Sequence, residues 1–125
     1  MLIVKTVLVV DDDPLIVKII SVNLEARGYK VLGAKDGQEG LLSALKNEPD
    51  LIILDLMMPV MSGLEMLKEL RQVSEIPVIV VSANETPNNV EKARRLGIEC
   101  FLSKPFYVKR LAETVDTILN IDSLI

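Results

Sequence analysis

Three short apolar runs, 6-TVLVV-10, 51-LIIL-54 and 77-PVIVV-81, constrain the fold more than any other feature of the chain. Each is rich in β-branched residues and is bounded by Asp, Pro or Ser. Continuous apolar runs of this length, without alternation, belong to strands covered on both faces, which is the condition of a parallel sheet. Two less apolar runs, 30-KVLGA-34 and 100-CFLS-103, are expected at the sheet edges. Helical patterns with recognisable ends lie between the runs. Asp13 caps a helix with Pro14 at its first position, and Gly28 closes it. Asp36 with Glu39, ahead of Leu41, Leu42 and Leu45, and Ser62 with Glu65, ahead of Leu67 and Leu70, have the spacing of capping boxes. Thr86-Pro87 opens a fourth helix that Gly97 ends. In the fifth, Val108, Leu111, Ala112, Val115, Ile118 and Leu119 form one apolar stripe. Strand and helix therefore alternate five times. Right-handed crossovers then put helices on both faces of a doubly wound, three-layer α/β sheet. Residues 1–125 read as one domain without linker or repeat.

Such a sheet needs a core, and the composition supplies it. Half of the 125 residues are hydrophobic and 26% are charged, a folding balance rather than a disordered one. Lys plus Arg number 14 and Asp plus Glu 18, a formal charge of -4. This mild acidity argues against direct nucleic-acid binding, which calls for a basic field. The sequence has no histidine, and Cys100 is its single cysteine. An internal disulfide, an ordinary zinc site and every histidine-dependent triad are thereby excluded. Chemistry here must run on carboxylates, hydroxyls, lysines and backbone. No stretch reaches the roughly 20 apolar residues of a spanning helix, and the opening residues lack the features of a secretory leader. No membrane association and a cytoplasmic setting are expected.

In an open parallel sheet, sites form at the carboxyl ends of the strands. Those ends carry 11-DDD-13, Asp55, Ser82 and Lys104. If the strand order is 2-1-3-4-5, the first and third strands are neighbours, and Asp11, Asp12 and Asp55 would converge. Three carboxylates in one cleft repel unless a cation relieves them. A hard divalent ion such as Mg²⁺ suits carboxylate and phosphate oxygens; Lys104 supplies an ammonium and Ser82 a hydroxyl donor. A carboxylate nucleophile, a metal, a lysine and a hydroxyl together point to phosphoryl transfer.

The segments 8-LVVDDDP-14, 50-DLIILDLMMPVMSG-63, 78-VIVVSA-83 and 101-FLSKPF-106, in this order and spacing, resemble the receiver domain of bacterial-type two-component response regulators over essentially the whole chain. The resemblance implies a flavodoxin-like, CheY-like (βα)5 sandwich. It also implies that Asp55 accepts a phosphoryl group from the phosphohistidine of a histidine kinase or phosphotransfer protein. Mg²⁺ would be held by Asp12 directly, by Asp11 through a water, by Asp55 and by the backbone carbonyl of Met57. Ser82 and Lys104 would bind phosphoryl oxygens, with Ser82 and Phe101 as the switch residues. The face of helix four, strand five and helix five would then signal to an effector protein or a covalently linked output domain, and acyl-phosphate hydrolysis would reset it. Such a chain is a signalling switch with partial enzymatic character rather than a metabolic enzyme. A phosphorylation-dependent homodimer through that face is weakened by 98-IEC-100, where Glu99 is the one acid before Phe101.

Plainer roles compete at several positions. Asp13 reads as the helix cap, and Met57, Met58, Met61 and Met66 as packing residues, with Met57 giving the site only its carbonyl. Lys92, Arg94 and Arg95 read as a solvated helix face. Phe101 is either core or switch, and Lys104-Pro105 is open as to isomer. Two other functions compete with the switch. A receiver-like module that binds partners without phosphorylation would not need every site position filled. A haloacid-dehalogenase-like phosphatase shares the opening 11-DDDPL-15 in part, but departs at Leu15, and the chain is short for that fold plus a cap. Mutual repulsion of the acids predicts that Asp12→Ala or Asp55→Ala holds or raises metal-free stability. The closing 122-DSLI-125 reveals no output.

Overall fold

Alternate residues of each central strand point to opposite layers, and this decides the architecture. The computed structural model describes residues 3–83 and 85–120, leaving 122-DSLI-125 outside. Val7, Val9, Leu51, Ile53, Ile79 and Val81 enter one core with Ile20, Leu24, Leu111 and Val115. Leu8, Val10, Ile52, Leu54, Val78 and Val80 enter the other with Ala44, Met66, Leu67, Leu70 and Ala93. The elements run β1 (Thr6–Val10), α1 (Pro14–Glu25), β2 (Lys30–Ala34), α2 (Gly37–Asn47), β3 (Leu51–Leu54), α3 (Gly63–Leu70), β4 (Val78–Ser82), α4 (Pro87–Leu96), β5 (Cys100–Ser103) and α5 (Val108–Leu119). All pairings are parallel, in the order β2-β1-β3-β4-β5. Helices α1 and α5 pack together on one face, and α2 with α3 and α3 with α4 pack on the other. This is the (βα)5, CheY-like three-layer sandwich, with β2 and β5 at the edges.

Helix ends follow the local chemistry. Asp13 accepts from Leu15 N, Asp36 from Glu39 N and Thr86 from Asn89 N, while Ser62 and Glu65 complete a reciprocal capping box. Past α1, Gly28 N donates to Glu25 O and Tyr29 N to Leu24 O. This pattern needs a left-handed residue, and Gly28 takes it at φ 94°. Strand β4 lies one residue later than the apolar run: Pro77 lacks an N–H for the ladder, and Ser82 pairs with Ser103 instead. In helix α2, Leu42 and Leu45 are exposed, and the buried residues are Gly37, Gly40 and Ala44. Small residues let α2 lie close to the sheet, and a Cβ at Gly40 would meet Val10 and Met66 at 2.9 Å.

Contacts distant in sequence tie these layers together. Arg71, at the end of α3, donates to the carbonyls of Ser74, Ile76, Leu96 and Gly97, so one guanidinium holds the α3–β4 connection against the end of α4. At the opposite corner Tyr29 donates its hydroxyl to Asp116 of α5, which also receives Arg27. Burial, and then the Asp116 carboxylate, push the Tyr29 pKa up to about 12. The fold thus prefers the neutral phenol, whose ordinary pKa is about 10. The stabilisation is complete below pH ~10 and is lost as pH rises from there through about 12. Tyr29→Phe should therefore cost about 1 kcal/mol at neutral pH, and the gap to wild type should shrink across that alkaline window. Urea unfolding of both proteins at matched pH measures it; a constant gap would refute the linkage.

Candidate functional site

Strand register brings the polar residues together. Val10 and Leu54 are register partners, so the residues that follow, Asp11 and Asp55, leave the sheet side by side. Asp55 N donates to Val10 O at 3.0 Å, and Asp11 N to Ala34 O at 3.0 Å. Ser82 is paired with Ser103, and Lys104 N donates back to Ser82 O at 3.0 Å. The Lys104-Pro105 peptide is cis. Side chains separated by up to 93 positions in sequence thus meet at the carboxyl edge of the three central strands.

Asp55 is buried, and both of its oxygens are engaged. Oδ1 accepts from Ser82 Oγ at 2.8 Å and from Met57 N at 3.0 Å, while Oδ2 accepts from Lys104 Nζ at 2.9 Å. Lys104 also donates to Asp11 Oδ2 at 2.7 Å, and Asp13 N donates to Asp11 Oδ1 at 2.9 Å. Burial raises the Asp11 pKa despite the lowering effect of Lys104 and the Asp13 amide. For Lys104, burial acts against the ammonium, but hydrogen bonds and charge from Asp11 and Asp55 outweigh it and leave its pKa raised. The repulsion expected among the acids is therefore relieved at Asp11 and Asp55 by one bridging cation. Asp12 stands outside this bridge and is exposed.

Carboxylate oxygens of Asp11, Asp12 and Asp55 lie within 4.8 Å of one another. Such an all-oxygen donor set can hold a hard divalent cation. From Asp12 and Met57 an open cleft of about 540 Å³ runs past Pro59 to Glu85, Thr86 and Asn89. The site can thus present an oxygen nucleophile, a cation locus, an ammonium and a hydroxyl donor to one bound group.

Other expected residues stand farther out. Met57 is 56% exposed, and its amide rather than its thioether reaches Asp55. Phe101 is partly buried, pairs with Val80 in register and packs on the core beneath α2, α3 and α4. Asp13 makes the helix-cap contact to Leu15 N, and Lys92, Arg94 and Arg95 are exposed. Sequence reading missed Glu85, whose Oε2 lies 3.4 Å from Ser82 Oγ, and Asn89, which donates to Glu85 Oε1 at 2.8 Å. Their i, i+4 spacing across the Thr86 cap was the available signal. It also missed Val60, a β-branched residue at φ 68° in the β3–α3 loop, a conformation that costs about 1–3 kcal/mol.

A five-stranded doubly wound sheet with an acidic cluster and a bridging lysine at its carboxyl edge defines a receiver-type α/β domain. The chain belongs to the response regulator receiver family: the model of the response regulator receiver domain matches residues 7–116. It is similar to the polar-differentiation response regulator DivK of Brucella anthropi, with 38% identity over 119 residues, 93% of this chain and 97% of that protein. It is also similar to the alkaline phosphatase synthesis transcriptional regulatory protein PhoP of Bacillus subtilis, with 38% identity over 117 residues and 93% of this chain covered. The chain spans about half of PhoP, 49% of its length. Among solved structures, a CheY-like response regulator receiver domain protein from Methanospirillum hungatei matches with a TM-score of 0.91 at 26% identity, covering 97% of this chain and 98% of that one. Vibrio cholerae chemotaxis protein CheY4 matches with a TM-score of 0.84 at 36% identity, covering 94% and 100%. Among the described residues no helix is long and apolar enough to cross a membrane.

Proposed function

We propose that this chain, one receiver domain over residues 1–125, is a phosphorylation switch whose acceptor is Asp55. One observation carries the reading: a buried strand-end carboxylate with Lys104 on one oxygen, Ser82 on the other, and the oxygens of Asp11 and Asp12 close by. The donor is the phosphohistidine of a kinase or phosphotransfer protein, since this chain has no histidine of its own. An Asp55 oxygen attacks phosphorus, the O–P bond forms, the P–N bond breaks, and its electron pair returns to the donor imidazole. Lys104 and Ser82 take phosphoryl oxygens by charge-assisted and neutral hydrogen bonds. Asp12, Asp55 and the Met57 carbonyl directly, and Asp11 through a water, would hold Mg²⁺, which would supply neutralisation of charge on the transferred group. Water later cleaves the acyl phosphate and resets the switch.

Features beside the site support partner docking. Leu15 and Ile19 of α1 are exposed, and an apolar groove between α1 and the start of α5 includes Ile16, Ile19, Phe106 and Val108 next to Lys104. The output is a changed packing of the α4–β5–α5 face, with Ser82 and Phe101 as moving parts. That face addresses an effector protein, a linked output domain or a second phosphorylated copy. A cytoplasmic setting fits the free Cys100.

Intact-mass analysis after incubation with acetyl phosphate tests the core of this proposal. Wild type should gain one phosphoryl group only when Mg²⁺ is present. Asp12→Ala should gain none at the same Mg²⁺ concentration, yet keep its metal-free thermal midpoint, because Asp12 is exposed and lies outside the Lys104 bridge. Wild type that never gains mass, with donor and metal in excess, would favour a receiver that binds partners without phosphorylation.

A further inference from the structure

Ser82 has one hydroxyl proton and two carboxylates near it. Its Oγ is 2.8 Å from Asp55 Oδ1 and 3.4 Å from Glu85 Oε2. The shorter contact takes the proton, so Glu85 Oε2 faces the site as a charge behind a neutral hydroxyl. Its other oxygen, Oε1, accepts from Asn89 Nδ2 at 2.8 Å. Asn89 lies in the first turn of α4, and its backbone N–H donates to the Thr86 cap at 3.2 Å. Glu85 thus spans from the hydroxyl at the end of β4 to the start of α4.

The electrostatics around Asp55 are lopsided. Lys104 neutralises the Oδ2 side and reaches Asp11 as well. On the Oδ1 side stand Ser82, the Met57 amide and, beyond Ser82, the Glu85 carboxylate. A phosphoryl group that engages the Ser82 hydroxyl adds up to about two negative charges and three acceptor oxygens. It does so on the side where Glu85 already stands. Like charges a few ångströms apart in a wet cleft repel by roughly 1 kcal/mol.

We infer that Glu85 is a positioning residue of the switch: through Asn89 it holds the first turn of α4 beside Ser82 while Asp55 is unmodified, and it yields when a phosphoryl group arrives. Its departure takes the acceptor from Asn89 and frees the start of α4, carrying charge at Asp55 into movement of a helix. The inference rests on the phosphoacceptor reading above and names the side chains that pass its signal on. A purely structural role, an i, i+4 pair steadying a helix start, would leave phosphoryl affinity untouched.

Beryllofluoride with Mg²⁺, a stand-in for the phosphoryl group, is titrated into the full chain and followed in nitrogen–proton correlation spectra. In wild type the Asn89 side-chain amide and the Val90 amide should shift on saturation. Glu85→Gln removes the charge but keeps a carbonyl for Asn89, and should bind beryllofluoride about fivefold more tightly, the order set by losing one nearby like charge. Glu85→Ala and Asn89→Ala should place the Val90 signal near its bound position before any addition, with under about half of the wild-type shift left to occur. Unchanged affinity in Glu85→Gln, or a full shift from a wild-type starting position in Glu85→Ala, overturns the inference. A wild type that shows no beryllofluoride-dependent change removes the phosphoacceptor reading itself, and the inference with it. A responsive wild type with indifferent variants removes the role of Glu85 alone.

Discussion

Asp55→Asn should take up no phosphoryl group from acetyl phosphate, falling from full modification to background, while remaining folded. The amide has nearly the volume of the carboxylate, and its oxygen can still accept from Ser82 Oγ or Met57 N, which now meet Asp55 at 2.8 and 3.0 Å. Its nitrogen then faces Lys104, which keeps Asp11 at 2.7 Å. Packing is therefore conserved and the ammonium remains paired, so the stability change should stay within about 1 kcal/mol of wild type. What is lost is the anionic nucleophile, which no rotamer of an amide restores. Intact mass and urea unfolding on the same sample separate the two effects. A variant modified to the wild-type level would mean that another side chain is the acceptor. Asp11 would then be the first to examine, since it shares Lys104 with Asp55 and lies in the same acidic cluster.

Gly63→Ala should have the largest effect on the fold. A Cβ at Gly63 would stand 2.0 Å from the Asp55 carbonyl oxygen and 2.7 Å from Leu56 Cα. Both are backbone atoms, so no side chain can rotate out of the way. The approach is held by Gly63 N donating to Leu56 O at 3.0 Å and by the Ser62–Glu65 capping box that starts α3 at this point. Either α3 moves off the sheet or the end of β3 moves, and Asp55 moves with it. A cost of about 3 kcal/mol or more is expected, at the upper end for overpacking because the relief is not local. Denaturant midpoints measure that loss. Mass analysis with acetyl phosphate under native conditions should show modification well below wild type, since the acceptor carboxylate shares the displaced backbone. A variant as stable and as readily modified as wild type would show that the β3–α3 turn is looser than this geometry requires.

Much of this was legible in sequence because short-range rules govern it. The central runs could only be strands covered on both faces, and the caps at Asp13, Ser62 and Thr86 form as their side chains require. What the sequence left open or misread was decided by distant partners. The capping pattern of α2 does not say which of its residues face the sheet: Gly37, Gly40 and Ala44 do, because close approach to β1 and α3 favours small residues over large ones. Asp55→Ala looked as harmless as Asp12→Ala when the acids were considered only as mutually repelling. The structure separates them: Asp55 accepts three hydrogen bonds, including one from Lys104, whereas Asp12 is exposed. Glu85 drew no notice, since a lone glutamate before a helix is ordinary until a serine at the end of β4 is found beside it.

By itself, the sequence determined the alternation of strand and helix, the two-sided core and the list of polar groups at strand ends. Those follow from hydrophobic period and from side-chain chemistry within a few residues. The tertiary structure alone decided which of those groups touch. Parallel register sets Asp11 beside Asp55, and crossovers bring Lys104 back across 93 and 49 positions to bind both. It also decided that the charge of Glu85 stands behind Ser82, on the side of Asp55 that Lys104 does not reach. Charge and hydrogen bonding act over a few ångströms, and only folding sets which residues lie within that range.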